Sequence, residues 1–204
     1  MRQIRRAKPT FATAHEYHRA GSFGTGPEHW VDDEERHAMA NDIGDELLTI
    51  AKAQFPRTQN LEYAILKAHL IVEHSLVQYI RSMSRLLVEP SELKRFTFAN
   101  KFEIARLMGF GANDPIIIPT VERLNQVRNQ VAHSFALDRP LLDEMIRINS
   151  EDYEDFSMAS DRERIRRLRW ICYAIAGRTA GEVSANGYIS QRASRALKRD
   201  LGGE

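Results

Sequence analysis

The clearest signal along the chain is the recurrence of apolar side chains every three and four residues between Asn60 and about Leu87. Leu61, Ile65, Ala68, Val72, Leu76, Tyr79 and Met83 fall on one stripe. That stripe predicts a helix with one face in a core and Asn60 as its N-cap. A second row, Glu62, Leu66, His69 and Glu73, follows the neighbouring face. His69 and Glu73 are four residues apart, within pairing reach on a helix surface. Upstream, over residues 31–54, Ile43, Leu47, Ile50 and Ala51 stand at helical spacing, and Pro56 stops that helix.

After a turn at Pro90, Phe98, Phe102, Ala105 and Leu107 offer apolar groups to a core, and Gly109 and Gly111 suit a helix C-terminus. Residues 115–135 predict a further helix, LLDEMIRI a short one after Pro140, and Ser160-Asp161-Arg162-Glu163 the capping box of a last helix that runs to about Arg178. The triplet Ile116, Ile117, Ile118 comes nearest to a strand, and no stretch alternates with period two. The expected fold is all-α, an up-and-down helical bundle without a fixed repeat. Its divisions are a loosely ordered basic arm over 1–30, a helical domain over 31–180, and a weakly ordered tail over 181–204.

Composition changes this picture little. The 204 residues are 43% hydrophobic with net charge +1, ordinary for a soluble domain and unlike a strongly electrostatic nucleic-acid binder. No run approaches the roughly 18 apolar residues of a membrane span. The basic start MRQIRRAKPTF lacks the apolar stretch of a secretory signal, and one cysteine, Cys172, forms no internal disulfide. A cytoplasmic location without membrane association is the expectation. Charge distribution matters more than its sum, because residues 162–178 carry six arginines beside the acidic stretch NSEDYEDFSMASD.

The chemistry concentrates at RNQVAHSF, residues 128–135. On a helix advancing ~100° per residue, Ile117, Val121, Leu124, Val131 and Phe135 form one narrow stripe, and Arg128 falls inside it. An arginine there must snorkel outward, meet a buried acid such as Glu122 or Glu73, or face another chain. Asn125, Asn129 and His133, each four apart, form a polar row beside the stripe. Arg128 and His133, five apart, diverge by ~140° on one ideal helix. Either the helix loosens around His133, or a two-fold axis lets arginine and histidine of different chains line one cleft.

Arg128-Asn129-Gln130-Val131-Ala132-His133, at the end of a helix preceded by AHLIVEHSLVQYI and FANKFEIARLMGF, resembles the signature of the HEPN superfamily. The resemblance covers roughly residues 60–136. It implies a bundle dimerising through the motif helices and, in catalytic members, a metal-independent endoribonuclease of a toxin or antiviral-defence system, acting on RNA without a cofactor. By that resemblance Arg128 contacts phosphate, His133 transfers protons and Asn129 is the polar residue beside the arginine. Glu73, His69 and Asn125 would support them. The chemistry is coherent, since RNA supplies its own 2′-hydroxyl nucleophile and cleavage needs only proton transfer and stabilisation of a crowded phosphate. Some nuclease members that are toxins paired with a nucleotidyltransferase-like antitoxin carry a tyrosine two residues after the histidine, where this chain has Phe135. A catalytically inactive regulatory or scaffold module of the same fold, with a partner protein, is the first alternative. A transcription regulator resembling the mannitol-operon repressors, which share an R-N-x-x-x-H ending, is the second.

Among the remaining residues, the arginines at 162, 164, 166, 167 and 169 read as a solvated face, with Arg164 and Arg167 as candidate RNA contacts. His15, His18, His29 and His37 lack the spacing of a zinc site, and no metal is expected. Cys172 falls in line with Ile165, Leu168 and Ile175 as a core residue.

Overall fold

The computed structural model describes residues 43, 46–84, 88–133, 137–150 and 160–201. The basic arm over 1–30, its histidines and Phe135 lie outside them. Among the described residues every regular element is helical. These are α1 (46–54), α2 (Leu61–Met83), α3 (Pro90–Leu93), α4 (Phe98–Leu107), α5 (Ile117–His133), α6 (Arg139–Ile148) and α7 (Asp161–Leu201).

The central helix is α2, which packs against α7 most extensively and also against α4 and α5. The predicted stripe builds this contact, since Leu61, Ile65, Ala68, Val72, Leu76 and Tyr79 are all buried. Asn60 caps the helix by accepting from the Tyr63 amide at 2.8 Å, which satisfies one of the donors a helix start leaves open. From the N-terminal side, Ile43, Leu47, Ala51 and Phe55 enter the same core at four-residue spacing. Opposite them α7 contributes Ile165, Leu168, Cys172, Ile175, Ala176 and Val183.

The turn after α4 is built by its glycines. The Gly109 amide donates to the Arg106 carbonyl and the Phe110 amide to that of Ala105, both at 2.9 Å, the paired bonds that close a helix through a left-handed residue. Gly109 and Gly111 have φ of 100° and 72°, and a Cβ at Gly111 would collide with Ile117 and Ile118. The Tyr79 hydroxyl donates to the Met108 carbonyl at 3.3 Å. Burial and the nearby Glu182 push that phenol up to about 12.

Two sequence expectations change. Leu107 is 80% exposed, because at ~100° per residue it lies ~160° from Ala105 on the far side of α4. Its place inside goes to Lys101, which is buried against Glu73. The last helix also does not stop near Arg178 but continues to Leu201. Alanine, arginine, lysine and leucine prolong it through propensity rather than through an apolar stripe.

Candidate functional site

The motif lies on α5, which packs between α2 and α6. Ile117, Thr120, Val121, Leu124 and Val127 are its buried positions. Val127, rather than Arg128, continues the apolar stripe at the C-terminal end, and Arg128 is half-buried at its rim. Arg128 therefore snorkels, with its stem along the core and its head outside. Asn129 and His133 are exposed, and His133 is the last residue of the helix.

Two hydrogen bonds organise the polar row. His69 Nε2 donates to Asn125 Oδ1 across 3.3 Å, joining α2 to α5. One turn on, the Arg128 guanidinium donates to Asn129 Oδ1 at 3.2 Å. Among the described residues, no carboxylate lies within ion-pair distance of Arg128. Glu73, an expected partner for both His69 and Arg128, is taken by Lys101 of α4 at 2.5 Å. The reason is burial: an ammonium inside the protein requires a counter-charge, and Glu73 supplies it.

His69 is 4% exposed, with its ring against Phe98 at a centroid separation of 4.1 Å. Burial holds its imidazole below the usual histidine range, and the Arg128 charge lowers it further; the Asn125 bond and Glu73 act in the opposite sense. Burial and the Arg128 charge thus favour the neutral imidazole, which bonds Asn125.

Asn129 and His133 line a shallow groove with Gln126, Gln130, Asp138 and Leu141. Asp138 enters it as the N-cap of α6, accepting from the Leu141 amide at 3.2 Å. Arg128 is not among the lining residues, so within one chain the arginine and the histidine face different sides, as their five-residue spacing requires. Asn129 connects them, because it lines the groove while holding the guanidinium. The chain thus brings together Arg128 with Asn129, Asn129 with His133, and His69 with Asn125, while the Glu73 carboxylate is bonded to Lys101.

The arginines of α7 divide differently from the sequence expectation. Arg164 is 6% exposed, and its guanidinium donates to both carboxylate oxygens of Asp143 on α6, each at 2.7 Å. It is a buried structural cation, not a member of a solvated face, so it presents no surface to RNA. Asp161 extends this pair, receiving Arg164 at 3.3 Å and a two-pronged contact from Arg139 at 3.1 and 2.9 Å. Hydrogen bonding from Arg139 holds the Asp161 carboxyl below its ordinary range. Arg167, half-buried, meets Glu163 at 3.1 Å. Sequence spacing could not reveal Asp143 or Lys101, because both become informative only once the helices are docked.

Among the described residues, no three His, Cys, Asp or Glu side chains gather into a metal-binding group, and no helix is long and apolar enough to cross a membrane. The fold and site thus define a helical protein with an arginine, an asparagine and a histidine at the end of one helix. Compared with known proteins, the chain matches no family model, no curated protein and no solved structure.

Proposed function

We propose that this chain is a HEPN-type, metal-independent endoribonuclease that acts as a homodimer, in the manner of a toxin or antiviral-defence component. The observation that carries this reading is the state of Arg128. Its guanidinium sits at the rim of α5 without a carboxylate among the described residues, held by Asn129 beside the His133 groove. A guanidinium restrained by a neutral amide keeps donors for a phosphate. Arg164, by contrast, ends on the Asp143 carboxylate and keeps no such donors. Two motif helices meeting about a two-fold axis would set the Arg128 of one chain near the His133 of the other. Arg128 would then stabilise the phosphate while the two histidines take and return protons.

The test is incubation of the full chain with total RNA in chelator, beside Arg128→Ala and His133→Ala. Wild type is expected to cleave, and each variant to lose about 100-fold or more of the rate. Intact RNA with wild type, or variants as active as wild type, would sink the proposal. A second reading, a catalytically inactive scaffold module, is favoured by the separation of Arg128 from the groove within one chain. It predicts intact RNA together with capture of a partner protein that His133→Ala does not weaken.

A further inference from the structure

A basic concave surface at the start of α7 shares no lining residue with the groove of the motif. A groove of about 780 Å³ at the start of α7 is lined by Arg57, Arg162, Arg166 and Arg169, with Glu163 as the acidic side chain among them. Arg57 comes from the segment between α1 and α2, so the cluster joins two parts of the chain. Arg169 is fixed with its guanidinium 5.3 Å from the centre of the Phe55 ring, and Arg166 is held by Glu163 at 2.6 Å. Arg57 and Arg162 are exposed, and among the described residues neither has a carboxylate at ion-pair distance.

A second observation lies along the same face. At ~100° per residue, Arg162, Arg166, Trp170 and Tyr173 fall within ~80° of one another around α7. Trp170 is 66% exposed, and its ring meets Tyr173 edge-on at a centroid separation of 6.1 Å. A large aromatic left in water beside clustered arginines is the combination that holds single-stranded nucleic acid, where guanidinium groups follow the phosphates and aromatic faces receive unpaired bases. A purely solvated arginine face has no use for the indole.

We infer that the groove of Arg57, Arg162, Arg166 and Arg169, continued by Trp170 and Tyr173, binds single-stranded RNA. Arg57 and Arg162 contact successive phosphates, and Trp170 stacks on a base. This deepens the nuclease reading, on which the choice of RNA rests, by naming the surface that holds the strand. Four arginines against one glutamate make binding steeply salt-dependent.

Binding is separated from cleavage by using a fluorescent single strand of about 15 nucleotides with 2′-O-methyl riboses, a length suited to one such surface. It has no nucleophile and stays intact. Anisotropy of the full chain in chelator is expected to show binding at about 50 mM salt that weakens linearly in log–log form. Arg57→Gln with Arg162→Gln should reduce that slope by about 1.4, the value for two lost phosphate contacts on a single strand. Trp170→Ala should weaken binding about tenfold or more without a slope change. Comparable binding of single-stranded DNA supports stacking and phosphate contact as the basis. Duplex RNA bound as well as the single strand overturns it, because paired bases cannot reach the indole. Absence of wild-type binding, or variants that melt and bind like wild type, also overturns it. If binding holds and total RNA stays intact, only the nuclease reading falls.

Discussion

Arg164 stands in a run of arginines, yet its guanidinium lies inside, forked onto Asp143 and touching Asp161. Removing one partner leaves the other charge buried, which costs about 3–5 kcal/mol. Asp143→Ala is therefore expected to lower the urea midpoint strongly. Asp143→Leu combined with Arg164→Met should recover most of that loss, and a double variant no more stable than either single one would contradict the pairing. His69 makes a pH prediction. Its folded-state affinity for a proton lies below the unfolded value near 6.5 because of burial and then Arg128. The stability this represents is complete above that unfolded value and is lost as pH falls through the folded one. Wild type should thus lose stability between about pH 7 and pH 5 more steeply than His69→Gln. Equal slopes in urea titrations at each pH would show that the imidazole is not held neutral. The sequence places His69 on the face beside the core stripe, but pairs it with Glu73. Only docking of α4 reveals that Lys101 claims the acid and leaves Asn125 to the imidazole.

The helices were legible where burial writes a period and obscure where it does not. The stripe of α2, the Asn60 cap and the glycine stop of α4 follow from local chemistry and stand as expected. The far part of α7 carries no such stripe, since Val183 is the last buried side chain described on it, so its extent cannot be read from apolar spacing. Two glycines of α7, Gly177 and Gly181, have nothing within 4 Å of an added Cβ. Each Gly→Ala change there should stabilise by about 0.5–1 kcal/mol, the backbone-entropy difference in a helix interior. Gly111→Ala should do the opposite, since its positive φ and the collision with Ile117 and Ile118 strain the entry to α5. Thermal melts compare all three, and a destabilised Gly177→Ala would mean that this stretch is not helical in solution.

At the scale of the molecule, the all-helical class follows from the pattern of apolar positions, while the proposed shared cleft would need a second chain that no sequence period describes. If two copies share the site, folding and association are coupled, and the melting midpoint should rise with protein concentration. A midpoint independent of concentration, together with a monomer mass in solution, would remove the shared cleft. The core itself supplies a means of watching such transitions. Cys172 is fully buried, burial pushes its thiol well above the usual range, and the chain has no other cysteine. A thiol-modifying reagent therefore finds nothing to react with in the closed bundle and one group when it opens. The rate of its incorporation becomes a clock for the separation of α7 from α2, with a single labelled product and no need of an introduced probe.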